Sequence, residues 1–130
     1  MTRKKKSIQE VAVLTESETV EAESIGDLRT SLEEIKAYNG VIGYILRNST
    51  SAAIDLKDPT KLIDYAILSS SALDLGKELS ELFNLGEVKD IIVEGKNVKV
   101  LSLTIGENKI SVFLEKKADC ESVLRRLRSF

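Results

Sequence analysis

Apolar positions recur at three- and four-residue steps through residues 58–86, and this stretch predicts one long amphipathic helix. Asp58 stands where an N-cap belongs, and Pro59 follows at the first helical position, where a missing N–H costs nothing. Asn84 and Gly86 can close the other end in the left-handed conformation. Tyr65, Leu68, Ala72, Leu75, Leu79 and Leu82 line one face. A second stripe (Leu62, Ala66, Ser69, Leu73, Gly76, Ser80, Phe83) is half small residues, which lets a sheet or another helix come close. Asp64, Asp74, Lys77, Glu78 and Glu81 fall on the wet side. At 1.5 Å per residue the helix would span roughly 30 Å, so its two apolar stripes need a broad surface to cover them. The strands on either side are expected to supply it.

Before this helix, residues 27–38 carry a shorter stripe of Leu28, Leu32 and Ile35, with Ile25 placed to staple its start and Asn39-Gly40 to end it. Residues 41–47 are apolar at nearly every position, which predicts a strand covered on both faces. Asn48-Ser49-Thr50 is turn chemistry. In residues 52–57, Ala52, Ile54 and Leu56 alternate with Ala53, Asp55 and Lys57 as a returning strand. After the long helix come three more strands, at 89–94, 98–105 and 109–115, separated by Gly95-Lys96-Asn97 and Gly106-Glu107-Asn108. In the last of them Ile110, Val112 and Leu114 alternate with Ser111 and Phe113. Asp119 then caps a closing helix that turns Val123, Leu124 and Leu127 inward and carries Arg125, Arg126 and Arg128 at its C-terminal end, where the helix dipole favours cations.

The order helix-strand-strand-helix-strand-strand-strand-helix predicts an α+β protein: a five-stranded antiparallel sheet sandwiched by helices, with the long helix as crossover between two hairpin units. The 41–47 strand is expected at the centre. The 52–57 and 89–94 strands become the edges. Residues 1–25 differ from the rest. Arg3, Lys4, Lys5 and Lys6 are followed by Glu10, Glu16, Glu18, Glu21 and Glu23 with few apolar residues. This predicts a mobile charged tail, with at most a weak strand or helical turn over 9–14, ahead of one domain at 26–130.

Composition narrows the chemistry. Nineteen basic and 21 acidic residues leave a net charge of −2, which argues against a general nucleic-acid or membrane surface. No apolar run is long enough to span a bilayer, and no signal peptide opens the chain, so a cytoplasmic protein without stable membrane insertion is expected. The chain has no histidine, which removes the commonest general base and metal ligand together. The single Cys120 cannot form an internal disulfide, and with Asp119 and Glu121 beside it and no imidazole it is a poor nucleophile. Gly76-Lys77 lacks the glycine and the hydroxyl residue that a phosphate loop requires, since Ser71 and Glu78 stand there. Asp55, Asp58 and Asp64 follow no calcium-loop spacing. No catalytic residue, cofactor or metal is therefore expected. Arg47, at the mouth of the first hairpin, is a candidate partner contact. Arg3 to Lys6 leave open an adaptor role on nucleic acid or a membrane surface, although no nucleic-acid partner is expected.

On Gly40-Val41-Ile42-Gly43, Ala66 in the long helix, Val93-Glu94-Gly95 before a tight hairpin, Ile110-Ser111-Val112 and the 124–127 closing helix, the chain resembles the Roadblock/LC7 family in its bacterial and archaeal form. The resemblance spans about residues 27–130. It departs at Asn48-Ser49-Thr50-Ser51, where relatives often carry an Asp-Gly turn. It implies a Roadblock/profilin-like fold, a homodimer joined edge to edge through the 89–94 strand with the long helices side by side, and a small Ras-like GTPase as partner. Ile91, Ile92 and Val93 of that strand, with Leu68, Ala72 and Leu75 of the helix, become the expected interface. The residues agree independently: an edge carrying Ile-Ile-Val invites aggregation unless it pairs, and its own copy is the symmetric solution. A longin- or profilin-like sensor domain is the alternative at the level of the fold.

Overall fold

A computed structural model describes residues 27–130 of the chain. Helix α1 occupies residues 27–36. Strands β1 (Val41–Arg47) and β2 (Ala52–Leu56) form the first hairpin. A 3₁₀ turn over Pro59–Lys61 feeds the long helix α2 (Leu62–Phe83). Strands β3 (Asp90–Glu94), β4 (Val98–Ile105) and β5 (Asn108–Glu115) and helix α3 (Cys120–Leu127) complete the chain. The expected tail over 1–25 lies outside the described residues.

All strands pair antiparallel in the order β2-β1-β5-β4-β3. The edges are the two expected from the sequence, β2 and β3. The expected centre shifts by one place: β1 is interior, but β5 is the middle strand. The reason lies in the crossover. Helix α2 carries the chain from one edge to the other, and the β3-β4-β5 meander then folds back until β5 meets β1. Strand β5 is fit for that position because both its faces are covered, with Ser111 through Leu114 all buried.

The two faces of the sheet are unequal. Helices α1 and α3 cover one, where Leu28, Leu32, Ile35, Tyr44, Leu101, Val112, Leu114, Val123 and Leu127 form the main core. The other face has a smaller core of Ile45, Leu56, Val100 and Phe113, with Tyr65, Ala66, Leu68 and Val93 packed against it. A bulge between Val41 and Gly43 switches the alternation of β1, so Val41 joins the main core and Ile42 the smaller one. At Gly43 a Cβ would come within 2.3 Å of the Asp55 carbonyl oxygen, so the bulge and the hairpin partner require glycine there. The departing turn at Asn48 works by a different device from an Asp-Gly turn: Asn48 Oδ1 accepts from the amides of Thr50 and Ser51.

Polar bonds tie the layers. The Tyr44 hydroxyl donates to Glu33, and Lys36 pairs with Asp55 at 2.5 Å, fixing α1 on the first hairpin. Arg126 donates to Ser31 and Glu34, joining α3 to α1. Under α2, Ser69, Ser111 and Ser102 form a buried chain of hydroxyls, at 2.6 and 2.7 Å, that holds the helix to β5 and β4.

Candidate interaction surface

The cap expected for the long helix lies one turn ahead of it: Asp58 caps the 3₁₀ turn Pro59–Lys61, and α2 itself starts at Leu62 with no side-chain cap at Lys61. Asp58 accepts from the Thr60 amide and hydroxyl, and these hydrogen bonds hold its carboxyl below the usual range. At the far end Asn84 adopts φ 54°, and Gly86 follows at φ 76°. Between those ends only Ser69, Ala72 and Gly76 are buried. The small residues thus make the closest approach to the sheet, joined by Tyr65, Leu68 and Ala72 from the first half of the leucine stripe. Its second half, Leu75, Leu79 and Leu82, is left in solvent, contrary to the expectation that the protein's own strands would cover both stripes.

Four contacts fix where α2 lies. Tyr65 stacks on Phe113 of β5, with ring centroids 4.5 Å apart. Ser69 is bonded to Ser111 of the same strand. Arg47 of β1 donates to Ser70. Gly76 sits over Ile91 of β3, so close that a Cβ would lie 2.1 Å from the Ile91 methyl. From Ser69 to Gly76 the helix advances roughly 10 Å. Two strand spacings, from β5 past β4 to β3, also measure roughly 10 Å. The helix therefore passes from β5 toward the edge strand, over which Gly76 lies. Beyond it Lys77, Ser80 and Glu81 border a cavity with Asp90 and Ile91 of β3 and Ser102, Leu103 and Thr104 of β4. No residue from 77 to 87 is buried. Leu79, Leu82 and Phe83 are 39%, 68% and 67% exposed on this last stretch of the helix.

Strand β3 pairs only with β4 among the described residues, so its outer backbone edge is open. The expected interface residues divide accordingly. Ile92 is 46% exposed and Leu75 likewise 46%. Ile91 and Val93 are half-buried, because their side chains pack beneath their own α2. Leu68 is half-buried beside Val93. Ala72 is a correction: at 4% exposure it faces its own sheet, since a helix crossing this closely must turn its small residues inward. Arg47 is half-buried and engaged with Ser70 rather than free at the hairpin mouth. Sequence reasoning also missed Ile63 and Ile67, 70% and 61% exposed on the outer side of α2. Their spacing from Ile63 through Ile67 to Asp74 and Glu78 carried the signal, but it was hidden beside two stronger stripes.

Elsewhere the chemistry is structural. Cys120 is half-buried, and burial pushes its thiol up, with nearby Lys99 pulling the other way and Glu121, Asp119 and Asp90 adding to the rise. Asp119 caps α3, and hydrogen bonds from Ser122 lead in holding its carboxyl low. Asp55 is paired with Lys36, and Asp64 is exposed. Gly76-Lys77 falls inside α2. Among the described residues no group of three or more acidic, cysteine or histidine side chains could hold a metal ion, and no helix is long and apolar enough to cross a membrane.

Solved structures similar to this chain include Roadblock/LC7 proteins. A Roadblock/LC7 domain from Streptomyces avermitilis superposes with a TM-score of 0.62 at 16% identity, covering 78% of this chain and 85% of its own. MglB from Myxococcus xanthus gives 0.61 at 12%, covering 79% and 87%. The gliding protein MglB from Thermus thermophilus gives 0.61 at 14%, covering 95% and 91%. No protein-family model matches the sequence, and no curated protein does. The chain has the Roadblock/LC7 fold.

Proposed function

We propose that this Roadblock-fold chain is a cytoplasmic, non-catalytic interaction module that works as a homodimer and engages a small Ras-like GTPase. The observation that carries the dimer is the open backbone edge of β3, with Leu75 and Leu79 exposed on the helix above it and Ile92 exposed in the strand itself. If two β3 edges pair about a twofold axis, the sheets become continuous and the exposed leucines of the two long helices are brought side by side. Two open features, a backbone edge and an apolar helix border, are then closed by one symmetry operation. The GTPase assignment draws on the family resemblance and on the fold shared with Roadblock proteins. A chain without histidine, whose lone thiol is disfavoured as a thiolate, suits a partner that acts by shape.

The test has two parts. Ile92→Lys places a charge on the exposed middle of β3 and is expected to halve the mass seen by light scattering while leaving the fold intact. An unchanged dimer mass argues against this pairing. Pull-down with the wild-type chain from lysate of the source organism, the lysate supplied with a GTP analogue or with GDP, is expected to retain a small GTP-binding protein in one nucleotide state. Failure to retain any would remove the GTPase while leaving the dimer standing.

A further inference from the structure

Helix α2 presents one more surface, on the side away from the sheet. Opposite Ser69, Ala72 and Gly76 stand Ile63, Ile67 and Leu82, between 61% and 70% exposed, interleaved with exposed Asp74, Glu78 and Glu81. The face is oily and acidic at once. Lys77 stands one turn from both Asp74 and Glu81, so the acids outnumber it three to one. The last turn of α2 contains no basic residue of its own to meet the negative end of the helix dipole, unlike that of α3, which carries Arg125 and Arg126.

The chain contains a segment with the opposite character. Arg3, Lys4, Lys5 and Lys6 are followed by Ile8, Val11, Val13 and Leu14, with Glu10 the one acid among them. This segment lies outside the described residues, which begin at Asp27. An extended chain from Asp27 back to Arg3 can reach roughly 80 Å, more than twice the length of α2, so it can pass round the sheet from the α1 face. We propose that residues 3–14 dock on the outer face of α2, the cations against Asp74, Glu78 and Glu81 at its C-terminal half and the apolar residues over Ile67 and Ile63. The orientation follows from charge: the acids and the bare dipole end lie at one end of the face, the isoleucines at the other. A second copy is directed elsewhere, to the β3 edge and the exposed leucines above it. An anionic lipid surface is repelled by the three acids. The docking is independent of the GTPase reading and is measured without a GTPase.

The experiment uses the full chain with Lys5→Cys and Cys120→Ser, nitroxide-labelled at position 5. The amide signals of Ile67, Asp74 and Glu78 are expected to lose several-fold in intensity relative to the reduced label. They should recover in about 0.5 M salt, where screening shortens to a few ångström, and in the Glu78→Lys, Glu81→Lys variant. No broadening on α2, or broadening that survives the charge reversal, overturns the proposal. So does broadening seen only between a labelled chain and a separate isotope-enriched chain, which would make the occupant another molecule's arm. As a second measurement, hydrogen exchange of α2 in the Lys4→Glu, Lys5→Glu, Lys6→Glu chain should quicken on the outer face alone; unchanged exchange counts against docking.

Discussion

Single side chains decide the close contacts of this fold. Gly43 is one: the Asp55 carbonyl oxygen and the Leu56 backbone occupy the space any Cβ would need, and neither can swing away. Gly43→Val is therefore expected to destabilise the domain by about 1–3 kcal/mol or more, read as a lower urea midpoint at unchanged slope. Gly76 differs, because the atom its Cβ would meet is the flexible end of Ile91. Tyr44 is another deciding residue. It is buried to 1% exposure, and burial first, then the hydrogen bond to Glu33, raises its hydroxyl pKa far above the ordinary value. A raised pKa means that the native state holds the proton more tightly than the unfolded chain does. The resulting stability is fully present below about pH 10 and is lost as pH climbs above it. Urea melts from pH 8 to 11 should show that fall, and Tyr44→Phe should flatten it. Neither constraint was visible in the sequence. Gly43 and Tyr44 read only as members of an apolar strand, and their partners lie 12 and 11 residues away in the chain.

At the scale of elements, the caps were legible and the packing face was not. Asp58, Asn84 and Asp119 act where local chemistry puts them, because a cap needs only its own neighbours within a few residues. The choice between the two stripes of α2 needed the sheet. Seven residues of small-sided helix match the width of two strand spacings, and that match, together with the Ser69–Ser111–Ser102 hydroxyl chain, selected the stripe containing Ser69 and Gly76. Leu75, Leu79 and Leu82 were left toward solvent, while Tyr65, Leu68 and Ala72 of the same stripe turned to the sheet. Leu79→Glu tests the role left to the exposed leucines. Leu79 is 39% exposed, so the protomer should lose little stability. The proposed dimer should weaken by tenfold or more in sedimentation, because the new carboxylate would be buried between the two long helices. Equal dimer affinity in the variant would place Leu79 outside the interface.

For the whole molecule, the thinner of the two cores sets the behaviour. One face of the sheet is closed by α1 and α3; the other has α2 alone, whose second half leaves Leu75, Leu79 and Leu82 exposed. Association that covers this side adds stability by mass action, so the melting temperature should rise with protein concentration, and Ile92→Lys should melt at one temperature whatever the concentration. A melting point independent of concentration in the wild-type chain would mean that the second chain adds nothing. The sequence by itself determined the elements, their order, the two edge strands and the alternation of β2 and β5, because periodicity and turn residues act over a few positions. Only the tertiary structure decided that β5 takes the middle, that α2 turns its small residues inward, and that the leucines of its second half stay exposed beside β3. Those outcomes depend on distances between residues far apart in the chain, which a pattern of apolar and polar positions does not contain.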